Sequence, residues 1–383
     1  MKPLAIVATH PIQYQAPLYE YLAANGFSIH VFFLSDQGVS ARHDADFGRP
    51  VAWDLPLLEG YPHEFLPNTR RNGGTERFLG LVNPRIVTRL LTGDFSAVLV
   101  HGHRNLSMVL AGMSARLCRI PLLYRGERCR PASQTLRRIG GPQFRCAVSA
   151  CLSIGSLNDQ FYASLGIPRE RRFFMPYVVD NQRFQEAASS VSKTDARRAL
   201  GIDTPELVLL FAGKLAPWKQ PDMLLRAFAS VARDDMHMVI AGEGVMRASL
   251  EDWATRHLPG RVTFLGFLNQ TEIPLAYRSA DLLALPSSRE PWGLVVNEVM
   301  NFAVPVLVSD QVGCGPDLVM PGRTGDVFAA NDLSSLTRSL RGLLHDPVRL
   351  TAMGSEARSH ISGWGFPEAA AGLAAALHSL GAG

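Results

Sequence analysis

The stretch LVLLFAGKLAPWK, residues 207–219, holds the features that decide the fold. It begins with an uninterrupted apolar run and ends with a glycine and two lysines, Lys214 and Lys219. Continuous hydrophobicity is typical of a strand that is buried on both faces of a parallel sheet. Pro221 and Asp222 then begin a helical pattern, since proline favours the first position of a helix. The segment therefore predicts a strand, a polar turn and a helix, the unit from which doubly wound α/β sheets are built.

Short apolar runs alternate with helical patterns along the whole chain, which predicts βαβ units, parallel sheets and an α/β fold class. A chain of 383 residues is too long for one ordinary core. The polar stretch 185–195 separates two series of runs and predicts domains over residues 1–178 and 179–364. Besides residues 207–211, the expected strands are Leu4–Ala8, Ile29–Leu34, Ala97–His101, Pro121–Tyr124, Ala147–Ile154, His237–Ala241, Val262–Leu265, Ala280–Leu285 and Val304–Val308.

The composition, 47% apolar and 19% charged residues, is that of a well-buried globular protein. No apolar stretch reaches the length of a membrane span, and the N-terminal run is too short for a signal peptide, so we expect a cytoplasmic protein. The five cysteines are odd in number and lack metal-ligand spacing, which indicates free thiols in a reducing compartment.

Positive charge is concentrated in the first half of the chain. Residues 1–178 contain 20 Lys and Arg against 12 Asp and Glu, a balance of +8, whereas the remainder contains 18 against 22, a balance of −4. Such a patch could face anionic lipid at the membrane surface or a phosphate-bearing acceptor; it could equally be a solvated face of an arginine-rich sequence. Without a nucleic-acid motif or interleaved aromatics, we expect no nucleic acid partner. Six arginines form the patch: Arg125, Arg128, Arg130, Arg137, Arg138 and Arg145.

Two of the four lysines lie within six residues of each other, in a chain with 34 arginines. A compact ammonium group on a flexible stem is a common partner of phosphate. Gly213, Lys214 and Lys219 follow a predicted strand, and ligands of open α/β sheets bind at the carboxyl ends of strands. The lysines therefore predict a diphosphate site; the alternative is two solvated lysines at the start of a helix.

The motif EPWGLVVNE, residues 290–298, supplies two carboxylates that suit the hydroxyl groups of a sugar nucleotide. Glu290 lies in the loop after a predicted strand, and Glu298 lies on the second turn of the next helix. A carboxylate accepts two hydrogen bonds from a vicinal diol, and Gly293 permits close approach of the backbone. The alternative for Glu298 is an ordinary exposed helix glutamate.

The order of these motifs resembles that of retaining glycosyltransferases of family 4, also called group 1. The resemblance covers most of residues 205–330 and implies the GT-B fold, two Rossmann-like doubly wound domains with parallel sheets that face an interdomain cleft. It also implies a C-terminal helix, about 365–380, that packs back onto the first domain. Gly242-x-Gly244 alone would suggest a dinucleotide site, but a third glycine is missing. The motifs are Gly213-Lys214 with Lys219, Gly242–Gly244, Phe264–Phe267, the glutamate pair, Val304–Leu307 and Val312–Asp317.

The resemblance implies a role for each matching residue. Lys214, where arginine is usual in the family, and Lys219 would bind the donor diphosphate and act in catalysis, and Glu290 would hold sugar hydroxyls near the reacting centre. Glu298 would bind the ribose, and no metal or other cofactor is expected. Gly266 and Phe267 would line the base, and the backbone N–H groups of Gly293 and Leu294 would bind the phosphate. The remaining predicted donor contacts are Gly213 and Trp292.

The first half matches the family less closely. After the first strand the chain reads THPIQYQAP, residues 9–17, and similar openings occur in a bacterial subset of the family. His10, Gln13 and Tyr14 are therefore predicted to bind the acceptor; alternatively, His10 and Tyr14 only cap and pack the first helix.

A second departure follows the strand that ends at Tyr124. Many family members have a sugar-contacting histidine beyond this strand, whereas this chain has RGER, residues 125–128. We predict that Glu127 takes over this position, with Arg125 on the acceptor side. His103, and His101 two residues before it, follow the preceding strand; His103 is a further catalytic candidate. No third ligand lies near these histidines in sequence, so they do not predict a metal site.

The predicted activity is transfer of a sugar from a UDP- or GDP-sugar to a hydroxyl acceptor with retention at the anomeric carbon. By analogy the acceptor is a glycan, a lipid-linked molecule or a small molecule in bacterial polysaccharide, glycolipid or metabolite biosynthesis. The alternatives are a GT-B-fold nucleotide-sugar epimerase and a non-catalytic nucleotide-sugar-binding subunit. The sequence leaves the base, the sugar and the acceptor open.

Overall fold

The computed structural model describes residues 2–44, 49–70, 73–202 and 207–382. The chain divides into two compact units. The first comprises Met1–Ala41, Pro56–Tyr177 and Phe366–Gly383, and the second comprises Arg42–Leu55 and Val178–Gly365. Among the described residues, no helix combines the length and the apolar character needed to cross a bilayer.

Strands and helices alternate along the chain. The strands are β1 Leu4–Ala8, β2 Ile29–Phe33, β3 Arg42–Asp44, β4 Arg49–Val51, β5 His63–Phe65, β6 Ala97–His101, β7 Leu122–Arg125, β8 Ala150–Ser153, β9 Arg172–Phe174, β10 Leu207–Ala212, β11 Met236–Ala241, β12 Val262–Gly266, β13 Leu282–Leu285, β14 Val306–Ser309 and β15 Gly325–Phe328. The helices are α1 Ala16–Ala24, α2 Arg85–Thr92, α3 Leu106–Leu117, α4 Gly141–Ala147, α5 Ser156–Ser164, α6 Asn181–Ser190, α7 Lys193–Ala199, α8 Pro221–Ala229, α9 Arg247–His257, α10 Ile273–Ser279, α11 Leu294–Met300, α12 Gly315–Leu318, α13 Leu333–Leu344, α14 Pro347–Ile361 and α15 Phe366–Ser379.

The first unit is built on a parallel sheet in the order β5-β2-β1-β6-β7-β8-β9. Every residue of β1 is buried, as the continuous apolar run predicts for a strand covered on both faces. β1 pairs with β2 on one side and with β6 on the other. The chain therefore builds the sheet outward from β1 in one direction and then in the other, and the order of strands reverses between β1 and β6. The carboxyl ends of these two strands diverge there, which is where ligands bind in doubly wound sheets.

The second unit contains a parallel sheet in the order β12-β11-β10-β13-β14-β15. This is the 3-2-1-4-5-6 order of doubly wound dinucleotide-binding sheets. All six residues of β10 are buried, and side chains of β10 and β11 pack with α8 and α13 in one apolar cluster. The reversal lies between β10 and β13, so the motifs that follow these two strands start from the same edge of the sheet.

The segment 42–55 differs from the sequence-based division, which assigned all of the first 178 residues to one domain. It forms the antiparallel pair β3-β4 and lies with the second unit. Asp54 accepts hydrogen bonds from the backbone N–H groups of Gln270 (3.0 Å) and Thr271 (3.2 Å), and the Asn269 amide donates to the carbonyl of Ala52 (2.9 Å). Hydrophobic patterns did not predict this arrangement because the segment lacks an apolar run.

The last helix, α15, belongs to the first unit, where it packs on β8, β9 and α1. Leu373 and Ala376 are fully buried in this contact. Gly372 allows the close approach, because a Cβ at this position would overlap the carbonyl oxygen of Phe174 in β9.

We therefore expect opposite effects from alanine at two helical glycines. Gly372→Ala should lower the free energy of unfolding by about 1–3 kcal/mol, because the added methyl group forces α15 away from β9. Gly342→Ala in α13, where a Cβ meets open space, should raise it by about 0.5–1 kcal/mol, since glycine is a poor helix former. Denaturant unfolding of both variants measures the two changes. Equal effects at the two positions would contradict the packing of α15.

Candidate functional site

Lys219 and Glu290 form an ion pair at the carboxyl edge of the second sheet. Lys219 ends a short 3-10 turn after β10, and Glu290 lies in the loop after β13. Their side chains are only 16% and 13% exposed. The two loops are also joined by their backbones, because the Ser288 N–H donates to the carbonyl of Trp218 (2.8 Å). The structure thus brings together a lysine and a glutamate that are 71 residues apart in sequence, at the point where the strand order reverses.

The backbone of Glu290 is fixed by the loop that follows β14. Its N–H donates to the carbonyl of Gln311 (3.2 Å), and its carbonyl accepts from the Gly313 N–H (3.0 Å). The Ser287 hydroxyl lies 3.4 Å from the carboxylate. Because three loops meet here, the backbone of Glu290 is held from both sides, and fixed placement is what a binding carboxylate requires.

Three glycines shape the edge of the sheet beside the lysines. Gly213, Gly242 and Gly266 follow or end β10, β11 and β12, and all three have positive φ (150°, 155° and 72°). The Gly213 N–H donates to Ala241, the Gly242 N–H donates to Gly266, and a Cβ at Gly242 would overlap the carbonyl oxygen of Gly213. The turns pack backbone against backbone, and the half-buried Lys214 follows directly. This surface offers a ligand peptide groups and an ammonium group.

Strain is present next to Lys219. Gln220 has a left-handed backbone conformation with φ of 51°, although it is not a glycine. Its amide donates to Asn331 (2.8 Å), and its buried side-chain oxygen lacks a hydrogen-bond partner among the described residues. Backbone strain of this kind is concentrated at functional sites, where the surrounding structure maintains it.

Gly293 and Trp292 have different environments in the same loop. Gly293 has φ of 97° and immediately precedes α11, whose first residue is Leu294; the first N–H groups of a helix have no partners within it. The Trp292 side chain is 3% exposed, its indole donates to Asn297 (2.9 Å), and its ring packs near Trp364. The donor contact of Trp292 stays a prediction, and its side chain is buried within the second unit.

Glu298 on α11 is not an exposed helix glutamate. Its carboxylate accepts a hydrogen bond from the Tyr277 hydroxyl. Burial raises the pKa of Glu298 to about 7, against the smaller opposing effects of the Tyr277 hydrogen bond and the charge of Arg183. Burial and the neighbouring Glu298 also hold the pKa of Tyr277 well above its usual value, so the phenol stays a donor. The site thus keeps a poorly solvated carboxyl group that a ligand diol could satisfy.

An aromatic pair lies near the end of β12. The ring of Phe267, which follows Gly266, is 6.2 Å from the ring of Trp53, and the rings are inclined by 39°. Asp54 fixes the segment that carries Trp53, as described above. The sequence predicted Phe267 here but missed Trp53, which lies more than 200 residues earlier in an apparently irregular stretch.

At the carboxyl edge of the first sheet, Glu127 joins a chain of hydroxyl groups. The Tyr177 hydroxyl donates to the Glu127 carboxylate, and the Tyr14 hydroxyl lies 3.2 Å from the Tyr177 hydroxyl. Burial, followed by the charge of Glu127, raises the pKa values of both tyrosines, so both phenols remain protonated. The structure brings the predicted residues Tyr14 and Glu127 together. It adds Tyr177, which the sequence analysis did not identify as a candidate.

Arg125 lies under this cluster. It is 4% exposed, donates to the carbonyl of Pro176 (2.9 Å), and its guanidinium carbon lies 4.9 Å from the centre of the Tyr177 ring. Its Nε is buried and has no hydrogen-bond partner among the described residues. This buried guanidinium places positive charge against the ring of the tyrosine that donates to Glu127.

The three histidines at or just after the ends of β1 and β6 each form a hydrogen bond with a hydroxyl group of the first unit. Burial, with a contribution from Arg125, lowers the pKa of His101 to about 3, and His101 is hydrogen-bonded to Tyr19 (3.1 Å). Burial and then Arg128 lower the pKa of His103, whose Nδ1 lies 2.6 Å from the Tyr124 hydroxyl. His10 lies 2.9 Å from the hydroxyl of Thr9.

The remaining predicted acceptor residue, Gln13, is half-buried in the loop before α1. Within the described ranges, no three His, Cys, Asp or Glu side chains are grouped as metal ligands. None of the five cysteines, all of which lie in the described residues, forms a disulfide.

Comparison with known proteins identifies the family of the second half. Residues 192–360 match the family model described as "Glycosyl transferases group 1". Residues 192–360 belong to this family. The chain is 30% identical over 300 residues, 72% of its length, to a D-inositol 3-phosphate glycosyltransferase of Nocardia farcinica. It is 32% identical over 49% of its length to a GDP-mannose-dependent monoacylated alpha-(1-6)-phosphatidylinositol monomannoside mannosyltransferase of Corynebacterium glutamicum. The chain spans 65% and 50% of these two relatives.

The structural comparison covers nearly the whole chain. The crystal structure of HepE from Anabaena in complex with UDP matches with a TM-score of 0.77 and 20% identity, over 99% of this chain and all of that one. This similarity confirms the predicted GT-B fold of two Rossmann-like units. The predicted resemblance to group 1 glycosyltransferases is also confirmed, whereas the roles of individual residues stay predictions.

The raised pKa of Glu298 predicts a stability change that depends on pH. A folded-state pKa of about 7, above the usual 4.5, means that the folded protein binds this proton more tightly than the unfolded chain. Its stabilising effect is therefore fully present below about pH 4.5 and is lost as the pH rises from there through 7. Glu298→Gln removes this loss, so its stabilising effect relative to the natural protein should be about 2–3 kcal/mol larger at pH 8 than at pH 5. Denaturant unfolding at both pH values measures the difference.

The matched control is Glu356→Gln, because Glu356 is an exposed glutamate paired with Arg323. It should show no such dependence on pH. A Glu298→Gln effect of equal size at pH 5 and pH 8 would contradict the assigned pKa.

Proposed function

We propose that this chain is a retaining glycosyltransferase that moves a sugar from a nucleoside-diphosphate sugar to a hydroxyl acceptor. The observation that carries the proposal is the Lys219–Glu290 ion pair at the strand reversal of a group 1 glycosyltransferase domain. A cation and a carboxylate at this edge match the two chemical parts of such a donor, an anionic diphosphate and a polyhydroxylated sugar.

Donor binding would replace the contact between Lys219 and Glu290 with contacts from each side chain to the donor. In the structure, Lys219 and Glu290 neutralise each other with little solvent contact. A bound diphosphate would pair with the Lys219 ammonium. Lys214 and the N–H groups of Gly293 and Leu294 would add further positive potential. Glu290 would then accept hydrogen bonds from sugar hydroxyls close to the reacting carbon.

The nucleoside would lie along the backbone surface of the glycine turns. Glu298 would accept hydrogen bonds from the ribose diol, and Gly266 and Phe267 would line the base. Either UDP or GDP fits this description, since the contacts are mostly to backbone; HepE binds UDP, and the Corynebacterium glutamicum relative is GDP-mannose-dependent.

In the proposed mechanism, bond cleavage leaves an oxocarbenium-like sugar and a diphosphate. Lys214, Lys219 and the backbone N–H groups would stabilise the charge that develops on the leaving group, so no metal is required. The departing phosphate would take the proton of the acceptor hydroxyl, and the acceptor oxygen would form its bond to the anomeric carbon on the face that the phosphate leaves, which gives retention. Glu127 would orient the sugar, and His103 would act as a neutral hydrogen-bonding group.

The acceptor is proposed to bind near the hydroxyl chain of the first unit. Tyr14 and Tyr177 present phenol groups that remain protonated, and His10, Gln13 and Arg125 lie in the same set of loops. Hydroxyl and carboxylate groups suit a polyhydroxylated acceptor, whether it is a glycan, a lipid-linked molecule or a small molecule.

The experiment that tests the proposal follows UDP- and GDP-sugars in the presence and absence of a panel of hydroxyl acceptors. Nucleotide release that requires an acceptor, with a product of unchanged anomeric configuration by NMR, is the predicted result. A change of the donor sugar without any acceptor would instead show an epimerase. Tight donor binding without conversion under all conditions would show a non-catalytic binding subunit.

The role of Lys219 predicts a loss of nucleotide affinity. Lys219→Ala should weaken nucleoside-diphosphate binding by about 1.5–3 kcal/mol, because a charge-assisted hydrogen bond is lost. Lys193→Ala is the control, since Lys193 also pairs with a carboxylate of the same unit, Asp281, through α7; it should leave the affinity unchanged. Isothermal titration calorimetry measures both. Unchanged affinity in Lys219→Ala would remove Lys219 from the diphosphate site.

The role of Glu127 predicts a separate effect on turnover. Glu127→Gln keeps an acceptor for the Tyr177 hydroxyl but removes the negative charge, so the reaction rate should fall by about 10- to 100-fold with nucleotide affinity unchanged. Glu76→Gln, at an exposed ion pair with Arg104, should retain full activity. Wild-type turnover in Glu127→Gln would exclude Glu127 from the reaction.

A further inference from the structure

The first unit contains an apolar cavity of about 350 Å³ that the proposed reaction does not use. It lies beside β6 and β7 and is bounded by α3 and α4. Its walls are almost entirely hydrocarbon, from Val109, Gly112 and Met113 of α3 and from residues near α4 such as Phe144 and Val148. A well-formed pocket of this size with apolar walls is typical of small-ligand sites.

Two arginines line the same cavity, Arg116 and Arg128. Arg116 donates to the carbonyl of Cys146, and the guanidinium of Arg128 lies 6.0 Å from the centre of the Phe161 ring. Neither has a carboxylate partner among the described residues. The cavity therefore combines an apolar interior with two positive charges that no carboxylate of the described residues pairs with.

The surface around the cavity is also unusually apolar. Met113, which lines the cavity, is 64% exposed, and Leu117 one turn later on α3 is 75% exposed. Ile139 is 63% exposed and precedes Gly140, another lining residue, at the end of a π-helical turn before α4. Exposed apolar side chains grouped around an apolar cavity are a feature of sites for apolar ligands.

We propose that this cavity binds the hydrocarbon chain of a lipid phosphate, with the phosphate held by Arg116 and Arg128. An apolar cavity of about 150 Å³ accommodates benzene, so the observed volume suits one chain segment of on the order of a dozen carbon atoms. A free phosphate ion would leave the apolar walls unfilled, and an uncharged alkane would leave both arginines without an anion. A lipid with one inserted chain and an anionic head group matches both parts.

The cavity adjoins the acceptor side of the first unit through His103. His103 lines the cavity and follows β6, at the same sheet edge as Glu127 and Tyr14. A lipid held in this way would place its head group near the hydroxyl-bearing side chains. The inference names an acceptor class for the proposed transferase and rests on that function only for this last step, because the lipid site can be measured without donor or turnover.

The test uses the full chain and n-dodecyl phosphate below its micelle concentration, followed by isothermal titration calorimetry. The proposal predicts saturable binding that weakens about three- to fourfold for each methylene removed, as expected for burial of a hydrocarbon chain. Inorganic phosphate should neither bind nor compete at the same concentration. Absence of dodecyl phosphate binding, or equal binding of inorganic phosphate, would overturn the proposal.

Variants locate the binding. Gly112→Leu fills the cavity from α3 and should weaken dodecyl phosphate binding at least tenfold, whereas Gly342→Leu on α13 adds the same side chain in open space and should have no effect. Val109→Phe narrows the cavity by a second route and serves if Gly112→Leu does not fold. Unchanged affinity in a folded cavity-filling variant would place the lipid elsewhere.

Charge variants and nucleotide binding separate the remaining outcomes. The double variant Arg116→Gln with Arg128→Gln should weaken the binding of dodecyl phosphate but not that of dodecyl maltoside. An equal loss of affinity for both compounds would contradict the assigned head-group contact. Thermal stabilisation by nucleotide should persist in all these variants. Loss of lipid binding with intact nucleotide binding thus tests the cavity alone, whereas failure of the donor site would leave lipid binding in place.

Discussion

The reversal of strand order between β10 and β13 is the constraint on which the candidate donor site depends. Adjacent parallel strands whose connections leave in opposite directions produce a gap at their carboxyl ends. Here the gap contains Lys219 and Glu290, which are paired and nearly excluded from water. A buried ion pair carries a desolvation penalty that its mutual attraction only partly offsets. We infer that the pair is retained because a ligand with one anionic part and one hydroxyl-bearing part can replace each partner.

The same physical pattern recurs at the other polar groups of the two candidate sites. Glu298 and Tyr277 hold a poorly solvated carboxyl group against a phenol in the second unit. Glu127, Tyr177 and Tyr14 form a comparable chain in the first unit, above the buried Arg125. Each arrangement pairs a carboxylate with a phenol, and carboxylate oxygens can accept several hydrogen bonds. Together they give each unit its own rigid, preorganised polar surface rather than one that forms only on binding.

Much of the fold followed from the sequence because continuous apolar runs identify strands that are buried on both faces. Runs such as Leu4–Ala8 and Leu207–Phe211 correspond closely to β1 and β10. The shorter strands β5 and β9 were missed, since three-residue strands at or near a sheet edge carry no distinctive periodicity. The placement of residues 42–55 with the second unit was also beyond prediction, because it depends on side-chain contacts of Asp54 with a distant loop.

For the candidate site, sequence motifs predicted the residues that lie in turns after strands. Lys219 and Glu290 come together as the topology requires, and Tyr14 meets Glu127. Trp53, Tyr177 and Tyr277 were missed because each reaches its position through tertiary packing across long sequence separations. The packing role of Trp292 was hidden for the same reason: its position in a motif does not reveal the direction of its side chain.

The central claim is that the edge of the second sheet around Lys219 and Glu290 binds a nucleoside diphosphate. The most direct measurement is the melting temperature of the full chain with UDP, GDP, ADP and dTDP, each in the presence of excess chelator. A ligand that binds only the folded state raises the melting temperature in proportion to the logarithm of its concentration above the dissociation constant. The account predicts such a rise for at least one of the four nucleotides, and UDP or GDP is expected to give the largest. Unchanged melting temperatures with all four at millimolar concentrations would contradict it.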